Sequence, residues 1–214
     1  MRKAGERIQR ILTLLRREYP EAKVALTFTT PLELLVATIL SAQCTDERVN
    51  RVTAPLFQTY RRAEDYADAP LAELEAAIRP TGFYHTKAKH IQETCRLLVK
   101  RFASQVPASM DALLELPGVA RKTANIVLAY GFGVVMGIPV DTHVRRVSQR
   151  LGLTDNTDPA KIERDLMQLL PSEEWSSLAL LVSAHGRAIC RARRPLCDQC
   201  VLEDGLCAYA SRAS

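Results

Sequence analysis

Residues 116–130 constrain the fold of this chain more than any other part of its 214 residues. They read LPGVARKTANIVLAY, so a Pro117-Gly118 turn leads directly into an apolar run of helical length. A helix start presents unpaired backbone N–H groups and the positive end of the helix dipole. Such a start can bind a phosphate group, and it also makes a nearby ammonium group easier to deprotonate. The segment therefore predicts an anion-binding turn that carries an amine at Lys122.

Apolar residues recur at helical spacing along nearly the whole chain. Hydrophobic residues make up 47% of the sequence, which is enough for the core of one large domain or two small ones. The stretches 109–116 and 120–130 form a helix-hairpin-helix around the turn, and signals for β-strands are weak. We expect an all-α protein with about ten helices.

The charge balance favours an anionic partner. The formal net charge is +5 and the sequence pI is about 9.0, although clusters of arginine can also be solvated helix faces. No uncharged run is apolar enough to cross a membrane. Glu6 and Arg7 stand where a signal peptide would have its apolar core, which predicts a cytoplasmic protein.

Four of the six cysteines are crowded near the C-terminus, with the spacing Cys190-x6-Cys197-x2-Cys200-x6-Cys207. In a reducing compartment such crowding indicates a metal site rather than disulfides. Four thiolates in a short loop suit either a [4Fe–4S] cluster or a structural zinc ion. Zinc sites of this type usually have two Cys-x2-Cys pairs, and this chain has one. The spacing favours the cluster, and zinc remains the alternative.

Two further groups of basic residues are candidates for phosphate contacts. Arg191, Arg193 and Arg194 lie between the first two clustered cysteines, where metal binding would hold their guanidinium groups in place. Their alternative role is to offset the negative charge of the thiolates. His143 and Arg145 form part of the second group, and His143 can either contact phosphate or satisfy a local hydrogen bond.

Three motifs together resemble the endonuclease III family of helix-hairpin-helix DNA glycosylases. They are LPGVARK at 116–122, VDTH at 140–143 and the four-cysteine tail, with further matches in LSAQCTD at 40–46 and GFYHTKA at 82–88. Members are bifunctional DNA glycosylase/lyases of base excision repair. The resemblance implies two helical domains: a six-helix barrel at 24–134 that carries the helix-hairpin-helix at about 109–130, and an iron–sulfur domain built from 1–23 and 135–214. It also implies DNA bound along the face between them.

The resemblance assigns Lys122 as the catalytic lysine, Asp141 as the catalytic aspartate and the four clustered cysteines as ligands of a [4Fe–4S] cluster. The Lys122 amine would attack C1′ of a flipped nucleotide, and the Schiff base would allow β-elimination. Partial burial, the helix start and Arg121 would favour the neutral amine. Asp141 would accept a proton or stabilise the cationic sugar, although an N-cap is its ordinary role at a helix start.

The same resemblance assigns DNA contacts. The backbone N–H groups of Gly118, Val119 and Ala120 would bind phosphates without sequence preference, and Arg121 beside them is also assigned to the DNA. Gln43 would fill the gap left by the flipped nucleotide, and Phe83 stands at the position of the apolar wedge, where the family commonly has leucine. The alternatives are that Gln43 caps a helix and that Phe83 belongs to the core.

Three features depart from the family pattern. Ala120 replaces a usual glycine and would be strained if its φ were positive. The last gap between cysteines is six residues rather than five, and the connection before Asp141 is one residue longer than usual.

Two other functions remain as alternatives. One is a monofunctional adenine or mismatch glycosylase. Adenine glycosylases carry a glutamate on the early buried helix, whereas the stretch 36–42 of this chain has no carboxylate. Adenine glycosylases also do not have the lysine that this chain has at position 122. The other is a non-catalytic DNA-binding module, against which Lys122 and Asp141 argue together. We expect a monomer that acts on double-stranded DNA containing oxidised pyrimidines or abasic sites.

Overall fold

The protein is all-α, as the sequence predicts. The computed structural model describes the backbone of residues 2–209 and their side chains, except those of residues 2–4, 203 and 204. Met1 and residues 210–214, which the expected domain division includes, lie outside the described residues. Twelve α-helices and no β-strand occur within 2–209. None of these helices combines the length and hydropathy that crossing a membrane requires.

The helices are α1 (Arg2–Glu18), α2 (Pro31–Leu40), α3 (Asp46–Thr59), α4 (Ala63–Asp68), α5 (Leu71–Ile78), α6 (Tyr84–Arg101), α7 (Met110–Leu114), α8 (Arg121–Ile126), α9 (Thr142–Leu151), α10 (Pro159–Leu169), α11 (Trp175–Ala188) and α12 (Glu203–Leu206). They divide into two compact units, one of residues 24–134 and one of residues 1–23 with 135–214.

In the unit of residues 24–134, α2 is the most deeply buried helix. Thr30 caps its N-terminus by accepting a hydrogen bond from the backbone N–H of Glu33, and Pro31 occupies the first turn, where a missing N–H costs nothing. Every residue from 34 to 40 is buried. Helix α6 packs against α4 and α5. A core of leucine, valine and isoleucine from these helices therefore supports the segments that precede α3, α6 and α8.

In the other unit, α1 packs its apolar stripe against α11 and α10. Ile8, Ile11, Leu12 and Leu15 follow helical spacing and are fully buried. Helix α9 packs against α11. This core supports the start of α9 and the end of α11, where polar and sulfur-bearing side chains of the unit lie.

The structure differs from the predicted helices mainly at their ends. The predicted helix at 120–130 is α8 followed by a π-helical turn at Val127–Gly131, and the short α4 was not predicted. Helix α6 begins at Tyr84, directly after Phe83, which adopts the left-handed conformation. Neither the wider hydrogen-bonding ring of a π turn nor a left-handed phenylalanine has a signature in the periodicity of apolar residues.

Candidate active site and metal centre

The turn between α7 and α8 requires glycine at position 118. Gly118 has a φ of +76°, and a Cβ atom there would lie 2.8 Å from the Nδ1 atom of His90. The preceding residue is also held, because the Thr94 hydroxyl donates to the Pro117 carbonyl oxygen at 2.8 Å. Both supporting side chains come from α6. The turn is therefore a rigid element built on a buried helix.

The backbone N–H groups of this turn are not equivalent. Val119 donates its N–H to the Leu116 carbonyl oxygen at 3.1 Å, and its side chain is buried. The expectation that Val119 presents its N–H group to a phosphate stays a prediction, and in the protein without DNA this N–H has a partner within the turn. Gly118 and Ala120 are exposed, and we find no backbone partner for their N–H groups among residues 2–209. Ala120 has φ −90° and ψ 169°, an ordinary extended conformation, so it is not strained.

Lys122 lies in the first turn of α8 and is exposed. Its position is fixed by the opposite face of the helix, where Thr123, Ala124 and Asn125 are buried. The partial burial expected for Lys122 is therefore absent in the protein without DNA. Arg121, beside it, is also exposed. The amine is accessible to a substrate on a helix whose other side is anchored in the core.

Asp141 belongs to the other unit and is half-buried at the start of α9. Its Oδ1 atom accepts a hydrogen bond from the Val144 N–H at 2.7 Å, which makes it the N-cap. Its Oδ2 atom accepts a second hydrogen bond from the Ser183 hydroxyl at 3.2 Å. Sequence reasoning missed Ser183, because nothing in the sequence relates two residues 42 positions apart. The carboxylate is thus held at both oxygens.

His143 and Arg145 differ in accessibility. The Nδ1 atom of His143 lies 3.2 Å from Nη2 of Arg146, and a Cβ on Gly186 would approach His143 to 2.9 Å. Arg146 in turn donates to the carbonyl oxygens of Gly186 at 2.8 Å and Cys190 at 3.0 Å. His143 therefore has the local hydrogen bond that was its alternative role, whereas Arg145 is exposed.

The four cysteines Cys190, Cys197, Cys200 and Cys207 converge on one cavity of about 410 Å³, counting the part that opens to solvent. The rest of its lining comes from Val147, Arg150, Leu151, His185, Ile189, Pro195 and Tyr209. Among residues 2–209, no three His, Cys, Asp or Glu side chains are close enough to hold a single metal ion. The common lining brings the four cysteines together as one candidate metal centre.

Two side chains near this cavity position the cysteines, and sequence reasoning assigned neither of them that role. Burial lowers the pKa of His185 to about 4, so its imidazole is neutral. Its Nδ1 atom lies 3.1 Å from the Tyr19 hydroxyl and its Nε2 atom 3.6 Å from the Cys200 sulfur. If the tyrosine donates to Nδ1, the proton on Nε2 points to the sulfur.

Arg150 is the second of these side chains. Its Nη1 atom donates to the Cys190 sulfur at 3.3 Å and to the Arg191 carbonyl oxygen at 2.7 Å. Its Nη2 atom donates to the Ala192 carbonyl oxygen at 2.9 Å. Arg150 therefore fixes the backbone of the loop between the first two cysteines. The side chains of Arg193 and Arg194 in the same loop are exposed.

Gln43 and Phe83 are both exposed and both have an unusual backbone. Their φ values are +52° and +49°, in the left-handed region that non-glycine residues rarely adopt. Phe83 is 66% exposed, so it does not belong to the core. The helix after Gln43 is capped by Thr45, so Gln43 is not that cap. Both alternatives considered for these residues are thereby removed.

Comparison with known proteins gives one consistent result. The family model described as HhH-GPD superfamily base excision DNA repair protein matches residues 36–172. A protein named endonuclease III from Synechocystis sp. is 54% identical over 205 residues, which covers 94% of this chain and 94% of the relative.

Solved structures agree with the sequence relatives. A structure titled as a non-covalent endonuclease III–DNA complex superposes with a TM-score of 0.92 at 43% identity, covering 98% of this chain and 97% of that one. A second, titled as a trapped endonuclease III–DNA covalent intermediate, has the same TM-score and identity and covers 98% of each chain.

Proposed function

This chain belongs to the HhH-GPD superfamily of base excision DNA repair proteins, and within it to the endonuclease III family, and we propose that its exposed Lys122 is the nucleophile of a DNA glycosylase and abasic-site lyase. The family resemblance in the sequence is therefore confirmed. The substrate is double-stranded DNA with damaged bases or abasic sites. The observation that carries the assignment of the nucleophile is the position of Lys122: exposed, in the first turn of a helix that follows a turn only glycine can form.

The chemistry requires the damaged nucleotide to leave the base stack, because its C1′ atom is inaccessible in a duplex. The neutral amine of Lys122 attacks C1′, a nitrogen–carbon bond forms, and the glycosidic bond breaks so that its electron pair leaves with the base. The sugar ring opens and the amine loses a proton, which gives the Schiff base. Removal of a proton from C2′ then expels the 3′ phosphate and breaks the strand.

We assign Asp141 to the charge that develops on the sugar. Its carboxylate stabilises the cationic character at C1′ as the glycosidic bond breaks, or accepts a proton from the attacking amine. The hydrogen bonds from the Val144 N–H and the Ser183 hydroxyl support this role, since they hold both oxygens in one orientation. An N-cap and a catalytic carboxylate are compatible roles, because the cap fixes the group that reacts.

We also propose that Cys190, Cys197, Cys200 and Cys207 hold a [4Fe–4S] cluster. The single Cys-x2-Cys pair favours the cluster over a structural zinc ion, which remains the alternative. All four cysteines line one cavity, which supports a shared metal group held by four thiolates. When bound, the cluster would cross-link the loop between Cys190 and Cys197, called here the arginine loop, to the end of α11.

The exposed arginines Arg145, Arg191, Arg193 and Arg194, together with the N–H groups of Gly118 and Ala120, are the groups that we assign to the DNA backbone. Contacts of this kind give affinity without sequence preference, which suits an enzyme that inspects many sites. His143 stays a candidate for the same contact, beside the hydrogen bond that its Nδ1 atom makes with Arg146. We place the protein in the cytoplasm, on the DNA, as a monomer.

Borohydride trapping tests the proposed nucleophile. The protein is incubated with a duplex oligonucleotide containing thymine glycol, and the Schiff base is reduced to a stable protein–DNA adduct. The wild-type protein and the Lys161→Ala variant, which loses an exposed lysine on α10, form the adduct, and Lys122→Ala does not. Base removal without an adduct in the wild type would indicate a monofunctional glycosylase. Binding without base removal would indicate a non-catalytic module.

A further inference from the structure

Lys87 is a buried lysine that none of the steps above uses. It lies in the first turn of α6, is 4% exposed, and burial lowers the pKa of its ammonium group. Its Nζ atom donates to the Leu40 carbonyl oxygen at 2.8 Å and to the Thr81 carbonyl oxygen at 2.9 Å. A lysine is rarely buried to this degree unless its donors have partners. Both partners here are backbone carbonyls from other segments.

The two carbonyls belong to the segments that carry Gln43 and Phe83. Leu40 is the last residue of α2 and the turn that contains Gln43 follows it directly, whereas Thr81 ends the short 3₁₀ turn Arg79–Thr81 that precedes Phe83. One ammonium group therefore bonds to both segments at once. Carbonyls at the end of a helix lack partners within it, and a cation is favourable there.

Both segments need such support, because each holds a non-glycine residue at positive φ. This backbone conformation is unfavourable for a residue with a side chain, and it persists only where the surrounding structure holds it. Within residues 2–209 only Ala103 and Ser104 share this property with Gln43 and Phe83. The exposed side chains of Gln43 and Phe83 thus depend on two strained turns that share one internal anchor.

We propose that Lys87 is a positioning residue that couples the two DNA-inserting segments, 41–45 and 81–83, into one rigid unit. The inference rests on the proposed function, in which Gln43 fills the gap left by the nucleotide and Phe83 wedges into the stack. Opening the stack requires both side chains to enter the duplex together. A common anchor keeps their separation fixed before DNA binds, so that ordering them is not part of the insertion step.

The variant Lys87→Met tests this, because its side chain has similar length but donates no hydrogen bond. Gln92→Leu is the matched control: Gln92 is also a buried residue of α6, and it donates to the Ala69 carbonyl oxygen at 2.7 Å, away from both segments. Amide hydrogen exchange is measured on the intact protein without DNA. We expect faster exchange in both segments for Lys87→Met and in neither for Gln92→Leu.

The second readout is base removal from a thymine glycol duplex that carries 2-aminopurine opposite the lesion. At saturating enzyme, Lys87→Met slows excision and the rise of fluorescence by about ten- to a hundredfold, since small misplacements have effects of this size. Affinity for an undamaged duplex changes less than twofold, because the contacts with phosphates remain. Gln92→Leu changes neither quantity.

Two results would overturn the proposal: unchanged exchange in both segments, or excision slowed no more than in Gln92→Leu. If Lys87→Met does not fold, Lys87→Gln carries the same comparison, since its side chain is one atom shorter than lysine and carries no charge. A wild-type protein without activity on thymine glycol would refute the proposed function, and the exchange measurement would still decide whether Lys87 couples the segments.

Discussion

The Ser183 hydroxyl donates a hydrogen bond to Asp141 across 42 positions of sequence, from the buried face of α11 to the start of α9. The bond fixes the oxygen of the carboxylate that does not cap the helix. We expect Ser183→Ala to slow base excision about tenfold, the lower end of what a hydrogen bond to a charged group contributes. Ser183→Thr keeps the hydroxyl and restores most of the rate. Ser177→Ala on the same helix serves as control, and an equal loss there would show that α11 is merely sensitive to substitution.

Substitutions of Asp141 separate its two roles. Asparagine is as good an N-cap as aspartate, so Asp141→Asn keeps the free energy of unfolding nearly unchanged but removes the charge. Excision should fall by about 10²- to 10⁴-fold, the range for general acid–base groups. Asp141→Ala additionally loses the cap, about 1 kcal/mol, which lowers the melting temperature by about 2–4 °C in a protein of this size. Equal melting temperatures for the two variants would contradict the cap.

The turn between α7 and α8 should tolerate glycine at 120 but not alanine at 118. Gly118→Ala introduces a Cβ atom at positive φ and against the His90 ring, so we expect both lower stability and weaker binding to duplex DNA. Ala120→Gly leaves binding within about twofold, because position 120 is extended and either residue adopts that conformation. Fluorescence anisotropy with an undamaged duplex measures both. Weakened binding in Ala120→Gly alone would reverse our interpretation of the turn.

Much of this architecture is predictable from the sequence, for identifiable physical reasons. The all-α fold follows from apolar residues at helical spacing, and the Pro-Gly pair locates the turn before α8. Asp141 as an N-cap follows from a carboxylate directly before a helix. These features depend on residues close in sequence.

What the sequence does not predict depends on contacts between distant residues. Three such contacts are those of Ser183 with Asp141, of Arg150 with Cys190 and of Lys87 with the Leu40 carbonyl oxygen. Each joins residues at least 40 positions apart in the sequence. Other misses concern the backbone. The hydrogen bond of the Val119 N–H within the turn and the left-handed conformation of Phe83 have no counterpart in residue type or spacing.

Replacing a clustered cysteine should remove iron without removing the fold of residues 24–134. The purified protein is expected to be brown and to contain about four irons and four sulfides per chain, the composition of a [4Fe–4S] cluster. Cys197→Ser loses the colour and most of the iron. Cys44→Ser, which changes a half-buried cysteine of the other unit, keeps both. A colourless wild-type protein with one zinc ion per chain would overturn the assignment.

The arginine loop between Cys190 and Cys197 has two competing roles that salt dependence distinguishes. Arg193 is exposed, while Arg150 holds the backbone of the same loop in place. If Arg193 contacts a phosphate, its removal releases one fewer counterion when DNA binds. Arg193→Ala should then reduce the slope of log K against log salt concentration by about 0.9, without changing preference among sequences.

The control is Arg164→Ala, which removes an exposed arginine from α10 and should leave the slope unchanged. If Arg193 instead serves to offset the thiolates, the slope of Arg193→Ala equals that of the wild type and the cluster is lost more readily to a chelator. The two roles predict opposite pairs of results, because a guanidinium group directed at the cluster neutralises no phosphate. We expect the altered slope together with unchanged iron content, since Arg150 already donates to the sulfur of Cys190 and leaves Arg193 exposed to solvent.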